Sequence, residues 1–185
     1  MPRLFIGIKI DPLPFLSEYQ SELKIKLQSG HINWVDPLNF HITMKFLGDV
    51  DDYYSNSILL LLEQIAAKTN KFTLFYDRLG LFGSAKQPRI IWFGFRKQED
   101  IMNLQLSIEK SLTDLGFKAG EKEFHPHLTL ARIKKINNAL TLTEYIALKN
   151  KNIKGEYPVT KFQLIKSVLH SEGPEYSVLK EFKLH

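Results

Sequence analysis

The 185-residue chain contains no cysteine. This absence excludes disulfide bonds, cysteine nucleophiles and cysteine-ligated zinc or iron–sulfur centres, and it is compatible with a reducing compartment. Long hydrophobic runs are also missing, because the densest one, from Ile58 to Leu62, has only five residues. The N-terminal apolar stretch is too short and too interrupted for the core of a signal peptide. We therefore expect a soluble, cytoplasmic protein that does not enter a membrane.

The remaining composition is that of an ordinary globular protein, with 44% hydrophobic and 24% charged residues. The net charge of +5 is unevenly distributed, since the stretch from Lys118 to Lys166 holds ten basic and four acidic residues. Such an excess indicates either a solvated surface or a surface for an anionic partner such as the RNA backbone.

Hydrophobic periodicity predicts a chain in which strands and helices alternate. Strands are expected at residues 3–10, 31–35, 40–47, 71–82, 89–95, 128–132, 159–170 and 175–183. Helices are expected at residues 12–28, 52–68 and 101–115. The sequence from Thr141 to Glu144 matches a capping box that would begin a fourth helix, and Gly173-Pro174 would form the last turn.

The spacing of 86 residues between His41 and His127 brings other features of the chain into register. A shift of this size places the first strand on the strand at Arg89, and the helix of residues 12–28 on residues 98–114. It also aligns three prolines, namely Pro2, Pro88 and Pro174. Because the histidines define the offset, the coincident helices and prolines are the independent support for a repeat.

This repeat predicts an α+β fold in which residues 1–185 form a single domain of two similar lobes. Each lobe is expected to be a mainly antiparallel sheet with helices on its outer face. An approximate two-fold axis would relate the lobes, and a cleft would lie between their sheets. The two histidines would then meet in that cleft.

Each histidine is followed two positions later by a threonine, in the sequences from His41 to Thr43 and from His127 to Thr129. Residues i and i+2 of a strand project from the same face, so each strand would present an imidazole and a hydroxyl on one side. A lone histidine on a strand is more often structural. Two such pairs at equivalent positions of a repeat favour a shared site instead.

Two imidazoles and two hydroxyls in one cleft suit the opening of a cyclic phosphodiester. A base must take a proton from water and an acid must protonate the departing ribose oxygen, and imidazole serves in either role near neutral pH. The threonine hydroxyls can donate hydrogen bonds to non-bridging phosphate oxygens as negative charge develops there. This chemistry needs no metal and no cofactor, and the sequence offers no obvious carboxylate cluster to hold a metal.

Two segments of the chain, WVDPLNFHITMKFLGDV (residues 34–50) and FHPHLTLAR (residues 124–132), resemble the two signature regions of the 2H phosphoesterases. Within that superfamily they are most similar to the RNA 2′,3′-cyclic phosphodiesterases, first described as 2′-5′ RNA ligases. The segments RLFIGIKI and PRIIWFGF extend the likeness over nearly the whole chain.

The resemblance implies a role for each residue of the two motifs. His41 would be the proton donor to the leaving oxygen, and His127 the proton acceptor from water. Thr43 and Thr129 would bind the phosphate, and the product would keep its phosphate on the 2′ oxygen. The expected partners are RNA ends with a 2′,3′-cyclic phosphate, tRNA fragments among them, or cyclic nucleotides.

Three basic residues near the motifs are further candidates for contacts with the substrate. Lys45 shares the strand phase of the first histidine, so it would either reach the mouth of the cleft or be solvated beyond it. Arg132 has the opposite phase to His127 and would need a bulge or a strand end to reach the phosphate. Arg89 precedes a strand and would be either a cation of the cleft or an edge residue.

Two further side chains have competing interpretations. His125 and His127 are i and i+2 on one strand face and could chelate a metal, but a place at the cleft edge is favoured for His125, because further ligands are scarce. Trp34 is a candidate either for stacking on a nucleobase or for the core.

The basic residues that flank the second motif are expected to guide the RNA backbone toward the cleft. They are Lys134, Lys135, Lys149, Lys151 and Lys154.

The leading hypothesis is hydrolysis of RNA 2′,3′-cyclic ends by a monomeric enzyme. The same acid–base pair would serve the reverse reaction, in which a ligase joins a 5′-hydroxyl to form a 2′-5′ bond. A related alternative is a phosphodiesterase that acts on another cyclic or 2′-5′ nucleotide. An alternative of a different class is an RNA-binding module without turnover.

Overall fold

The structure, a computed structural model, describes residues 3–51, 55–84, 86–121, 123–170 and 173–185. The described strands are β1 (Arg3–Lys9), β2 (His31–Trp34), β3 (His41–Asp49), β4 (Phe72–Gly83), β5 (Pro88–Phe95), β6 (His127–Lys135), β7 (Glu156–Val159), β8 (Lys161–His170) and β9 (Gly173–Lys183). The described helices are α1 (Pro14–Lys26), α2 (Ser55–Ala67), α3 (Glu99–Asp114) and α4 (Ala139–Asn150). None of these four helices has the length and apolar character needed to cross a membrane.

The elements repeat along the chain with an offset close to 86 residues. β3 and β6 are each nine residues long and begin at His41 and His127. The counterparts of β1, α1 and α2 are β5, α3 and α4, and those of β4 and β5 are β8 and β9. β2 lacks a counterpart, because residues 117–120 form no strand. The predicted α+β fold of two repeated halves is therefore confirmed.

All strand pairs are antiparallel and follow the order β7-β4-β5-β6-β3-β1-β8-β9, with β2 attached to β6. Each half contributes strands to both sides of this order, because β1 pairs with β8 and β5 pairs with β4. The two sides meet where Ile42 of β3 pairs with Leu128 of β6. The sheets of the two lobes are thus continuous at their centre, and the two histidine motifs form the junction.

The helices pair across the two halves as well. α1 packs against α4, which lies on β4, whereas α2 packs against α3, which lies on β3. The buried side-chain amide of Gln20 joins α1 to the sheet by donating hydrogen bonds to the carbonyl oxygens of Val35 and Leu130. One pair of helices therefore covers each side of the sheet's centre and leaves the histidine-bearing face uncovered.

Two expectations for turns and caps are wrong. α4 begins after Asn138, whose side chain accepts a hydrogen bond from the Thr141 N–H, so this residue replaces the capping box expected at Thr141. Gly173 and Pro174 lie within β9 rather than in a turn, because Gly173 pairs with His170 at the end of β8.

The long strand expected at residues 159–170 is divided into β7 and β8. Thr160 lies between the two strands, and its carbonyl oxygen accepts a hydrogen bond from the Leu184 N–H. β7 pairs with β4 while β8 pairs with β1 and β9, so the break lets the chain pass from one side of the sheet to the other. Pro2 and the expected start of the second helix at residues 52–54 lie outside the described residues.

Candidate active site

The two His-x-Thr segments lie side by side where β3 and β6 meet. Their central residues, Ile42 and Leu128, pair in antiparallel register and are fully buried. In this register each histidine lies beside the threonine of the other segment. Side chains alternate between the faces of a strand, so both histidines and both threonines share the face opposite the buried pair. The structure therefore assembles the four polar side chains of the two motifs at one place.

Both imidazoles are oriented by the same backbone contact. Nδ1 of His41 lies 2.7 Å from the carbonyl oxygen of Asn39, and Nδ1 of His127 lies 2.6 Å from the carbonyl oxygen of His125. A carbonyl oxygen only accepts, so Nδ1 carries a hydrogen and donates it in each case. The neutral ring then has its lone pair on Nε2, and the protonated ring has an N–H there. Each histidine can consequently act as a base or as an acid through Nε2.

Short ordered segments hold these two carbonyl groups in place. Residues Pro37–Asn39 form a 3-10 helix, and the Asp36 carboxylate caps it by accepting a hydrogen bond from the Leu38 N–H. On the other side, the carbonyl oxygen of Pro126 accepts a hydrogen bond from the Phe95 N–H at 2.9 Å. The backbone that precedes each histidine is thus held in place by hydrogen bonds. The 3-10 helix was not anticipated from the sequence, although Asp36-Pro37 is a recognisable signal for such a turn.

Aromatic rings pack against both imidazoles. The ring of His41 lies 4.9 Å from that of Phe5 and 5.1 Å from that of Tyr176, measured between ring centroids. The ring of His127 lies 5.0 Å from that of Phe82. These contacts restrict both imidazoles and exclude water from part of their surroundings.

Trp92 completes the surroundings of His127, with a ring-centroid separation of 6.1 Å. The indole ring lies over two glycines, because a Cβ atom added at Gly80 or at Gly94 would come within 2.1 Å or 2.6 Å of it. Trp92 is half-buried on the histidine-bearing face. A signal for this arrangement is present in the glycines of β4 and β5, since a glycine within a strand often marks a close approach of another group.

A β-bulge brings Arg132 onto the face of the histidines. The alternation of buried and exposed residues breaks at Leu130 and Ala131, which are both buried, and the pairing of β6 with β5 shifts by one residue at this point. The guanidinium group then acts on both histidines, because its positive charge contributes to lowering the pKa of His41 and of His127. The bulge that Arg132 needs to reach the site is therefore present.

A matching bulge in β3 has the opposite consequence for Lys45. Met44 and Lys45 are consecutive buried residues, so Lys45 leaves the face of the histidines. Its Nζ atom lies 2.7 Å from Oε1 of Glu109 on α3 and donates to the carbonyl oxygen of Lys118 at 2.9 Å. The expectation that Lys45 shares the face of the first histidine is therefore wrong. Phe46, at the position equivalent to Arg132, is exposed in its place.

Burial is the main cause of a lowered pKa at both histidines, whose ordinary value is 6.5. For His41, the hydrogen bond to the Asn39 carbonyl opposes this effect, while the positive charge of Arg132 adds to it. His127 shows the same pattern, with opposition from the His125 carbonyl and a further lowering from Arg132. The neutral imidazoles are consequently favoured in the free protein at neutral pH.

Trp34 does not lie at the site. Nζ of Lys24 on α1 is 5.8 Å from the centroid of the indole ring, so Trp34 faces the helix-covered side of the sheet. Of the two alternatives for Trp34, the structure supports packing against the core. The aromatic rings that contact the two imidazoles are those of Phe5, Phe82, Trp92 and Tyr176. The strand register explains why Trp34 lies on the helix-covered side. Trp34 pairs with Ala131, a residue of the bulge in β6, and the sequence alone does not reveal a bulge.

His125 is exposed at the edge of the site. Its Nε2 atom lies 3.7 Å from a carboxylate oxygen of Glu123, and its carbonyl oxygen orients His127. Across the described part of the chain, no three histidine or acidic side chains are grouped in a way that could hold a metal ion. His125 therefore acts on the second histidine in two ways, since its carbonyl oxygen orients the His127 ring and the charge of its own ring contributes to lowering the pKa of His127.

Two cavities adjoin the site. One, of about 810 Å³, is lined by Thr43 and His127 together with apolar residues, residues 118–121 and residues 123–125. The other, of about 690 Å³, is lined by Arg132, Arg89 and the ends of β5 and β6. Ile90 contributes to both cavities, so they lie next to each other along β5. Arg89 thus belongs to a cavity beside the histidines and shares it with Arg132.

Comparison with known proteins identifies the family of the chain. The profile of LigT-like phosphoesterases matches the chain twice, at residues 10–92 and 96–176, and the two matches begin 86 residues apart. The chain belongs to this family. The double match also agrees with the repeat of elements, since each match ends within a strand that begins the next unit of the repeat.

Individual relatives within the family cover the chain almost completely. An RNA 2′,3′-cyclic phosphodiesterase of Methanocaldococcus jannaschii is 35% identical over 183 residues, which are 97% of this chain and 99% of that protein. One of Aquifex aeolicus is 34% identical over 170 residues, or 89% of this chain and 87% of that protein. The crystal structure of E. coli LigT complexed with 3′-AMP is similar with a TM-score of 0.71 and 25% identity, and covers 99% of this chain and 98% of that one.

Proposed function

We propose that the protein hydrolyses the 2′,3′-cyclic phosphate at the 3′ end of RNA and leaves a 2′-phosphate. Water attacks the phosphorus atom, a new P–O bond forms, and the bond between phosphorus and the 3′ oxygen breaks. Nε2 of neutral His127 takes a proton from the attacking water. Nε2–H of protonated His41 gives its proton to the departing 3′ oxygen. The product carries a 2′-phosphate and a 3′-hydroxyl, and the two protons balance.

The observation that carries this proposal is the antiparallel pairing of Ile42 with Leu128. It brings two imidazoles with free Nε2 atoms to one face, and each has its Nδ1 fixed by a carbonyl group. A reaction with separate entering and leaving oxygens needs one group on each side of the phosphorus. The choice of His41 as acid and of His127 as base follows the resemblance to the 2H phosphoesterases.

The threonines and Arg132 support the reaction by stabilising charge on the phosphate. In the register of the site, Thr43 lies beside His127 and Thr129 lies beside His41, so each hydroxyl is close to one end of the line of attack. Their O–H groups donate to the non-bridging oxygens, and Arg132 offsets the negative charge. A bound phosphate also raises the pKa of His41, because a neighbouring anion favours the imidazolium.

The substrate class is supported by the relatives. Those of M. jannaschii and A. aeolicus are called RNA 2′,3′-cyclic phosphodiesterases, and E. coli LigT was crystallised with 3′-AMP. tRNA fragments are natural candidates among such RNA ends. A single domain over residues 1–185, a monomeric state and a cytoplasmic location remain predictions.

A single experiment tests the reaction. A short RNA with a 2′,3′-cyclic end is incubated with wild-type protein, His127→Ala or His31→Ala, in excess EDTA. His31 is an exposed histidine at the start of β2 and serves as the matched control. We expect a 2′-phosphate product from the wild type and from His31→Ala, and none from His127→Ala.

Other outcomes would redirect the assignment. Activity that appears only after addition of zinc or manganese would contradict the proposed metal-independent mechanism. A 3′-phosphate product would mean that the 2′ oxygen leaves. Joining of the cyclic end to an added RNA with a 5′-hydroxyl, in preference to hydrolysis, would identify the reverse reaction as the principal one. RNA binding without any product would favour the binding module.

A further inference from the structure

Among the residues that the structure describes, the smaller of the two cavities beside the histidines is lined by cations and by no carboxylate. This cavity of about 690 Å³, here called the basic groove, lies between the turn that precedes β5 and the outer end of β6. Its charged residues are Lys86, Arg89, Arg132, Lys134 and Lys135. Its remaining lining residues are uncharged, so nothing within the groove neutralises the five positive charges.

The cations of the groove also lack partners outside it. None of the five forms an ion pair with any residue in the described ranges. Elsewhere, lysines pair with carboxylates within 4.0 Å. These are Lys45, Lys97, Lys118, Lys149, Lys161 and Lys180. The groove is therefore a site of uncompensated positive charge, which attracts polyanions at ordinary ionic strength.

The groove is continuous with the site of the two histidines. Arg132 lines it and lies on the face of the histidines, because the bulge in β6 turns this residue to that face. Ile90 separates the groove from the larger cavity and lines both. An anionic chain that ends at the histidines would meet the groove as soon as it passed Arg132.

The larger cavity has the opposite character. The described residues of its lining include two lysines and three glutamates, and each glutamate is paired with a lysine: Glu109 with Lys45, Glu121 with Lys118 and Glu123 with Lys97. Apolar groups from Met44, Phe46 and Phe82 form much of the rest. The charges on that lining are therefore compensated, whereas in the basic groove every charge on the described lining attracts an RNA backbone.

We propose that the basic groove binds the phosphates of the RNA chain on the 5′ side of the cyclic end. The backbone leaves the histidines past Arg132 and runs toward Lys134 and Lys135. This inference rests on the proposed function and extends it, because it assigns the enzyme to oligoribonucleotides rather than to isolated cyclic nucleotides. Only two of the five lysines that the sequence predicted to guide RNA, Lys134 and Lys135, line the groove. Lys149 instead pairs with Glu22.

The test compares two double variants with the same change of charge. Lys134→Glu/Lys135→Glu alters two exposed residues of the groove. Lys151→Glu/Lys154→Glu alters two exposed residues of the same basic segment that do not line it. Each protein is assayed on an RNA of about ten nucleotides with a 2′,3′-cyclic end and on a 2′,3′-cyclic mononucleotide, over a range of salt concentrations.

We expect the groove variant to lose at least about ten-fold in kcat/KM on the oligonucleotide, because each phosphate contact contributes a salt-sensitive share of affinity. Its activity on the mononucleotide should stay within about two-fold of wild type, and its salt dependence on the oligonucleotide should become shallower. The control variant should match the wild type on both substrates. Equal losses on the two substrates, equal losses in the two variants, or no loss on the oligonucleotide would overturn the proposal.

A binding measurement separates this inference from the proposed function. The affinity of each protein for a fluorescent oligonucleotide with an ordinary 3′-hydroxyl end is measured by anisotropy. If no protein turned over either substrate, the proposed function would fail, yet a selective loss of affinity in the groove variant would still support the RNA-binding groove. Unchanged affinity in that variant would refute the groove even if the hydrolysis proceeded as proposed.

Discussion

Ile42 lies opposite Leu128, and these two residues are also equivalent under the 86-residue repeat. An antiparallel pair has a local two-fold axis between its opposed residues, so the axis that relates the two halves passes between these two side chains. The two imidazoles are therefore symmetric in position, although acid and base have different tasks. The symmetry is broken just after the bulge in each motif strand, where Arg132 in one half corresponds to Phe46 in the other.

Removal of either imidazole should abolish most of the activity. His41→Ala and His127→Ala should each lower kcat/KM by roughly 10²–10⁴-fold, the usual contribution of one acid or base. The double variant should lose little more than either single variant, because both groups act in the same step. Steady-state kinetics on a cyclic-ended RNA measures this, with His31→Ala as control. Fully multiplicative losses would indicate that the two histidines act independently.

The pH dependence of kcat/KM should reveal the charge of Arg132. A base that must be neutral and an acid that must be protonated give a bell-shaped profile. Since burial and the positive charge of Arg132 both lower the pKa of the two histidines, the bell should be centred below 6.5. Arg132→Gln removes one of the lowering charges, so both pKa values should rise and both limbs should move to higher pH.

The matched control for this experiment is Arg89→Gln, which removes the same charge from the same groove. The cation that lowers the pKa of both histidines is Arg132, so replacement of Arg89 should leave the position of the bell unchanged. Kinetic profiles over pH 4–9 on a cyclic mononucleotide keep RNA-backbone contacts out of the comparison. An unmoved bell in Arg132→Gln would contradict the placement of its guanidinium beside the two rings.

The threonine hydroxyls should matter for the transition state more than for binding. Thr43→Val and Thr129→Val keep the shape of the side chain and remove its donor, so each should lower kcat by roughly 10–10³-fold with a smaller change in KM. Thr→Ser at the same positions keeps a hydroxyl and should recover most of the loss. A change confined to KM would instead place the hydroxyls in ground-state binding.

The sequence was sufficient to predict the fold class, the repeat and the two His-x-Thr strands, because all three depend on local periodicity and spacing. Contacts that depend on register were harder to predict. One bulge in each motif strand reverses the faces of the residues that follow, and it moved Lys45 away from the histidines while it moved Arg132 toward them. Lys45 has the phase of its histidine in the sequence and Arg132 has the opposite phase, so the two bulges exchange the faces that simple alternation would assign to them.

The aromatic surroundings were not predictable for a related reason. Trp92 comes from β5 and Tyr176 from β9, which lie far from the histidine motifs in sequence, and only the strand order brings their rings beside the imidazoles. Trp34 is close to the first motif in sequence but lies on the helix-covered side. Proximity along the chain was therefore the wrong guide to which aromatic residue lies at the site.

Lys45 should contribute to stability rather than to chemistry. Its side chain is 4% exposed and its partner Glu109 is 21% exposed, so Lys45→Met would leave the Glu109 carboxylate with the Gly120 N–H but without its cation, and the Lys118 carbonyl oxygen without the ammonium donor. We expect the free energy of unfolding to fall by about 2–3 kcal/mol, with kcat of the folded enzyme nearly unchanged. Urea denaturation and activity assays measure both. Lys118→Met is the control, because its exposed pair with Glu121 should contribute less than about 1 kcal/mol.

The glycines beneath Trp92 should be as sensitive to substitution as core residues. A Cβ atom at Gly80 would lie 2.1 Å from the indole ring, so Gly80→Ala must displace Trp92 and, through it, the packing around His127. We expect a loss of roughly 1–3 kcal/mol in stability, together with lower kcat/KM. The double variant Gly80→Ala/Trp92→Ala should be no less stable than Trp92→Ala alone, because the clash is gone. Gly120→Ala, whose Cβ would meet no atom closer than 3.6 Å, is the control. If Gly80→Ala behaved like Gly120→Ala, the indole ring could not rest on β4 as described.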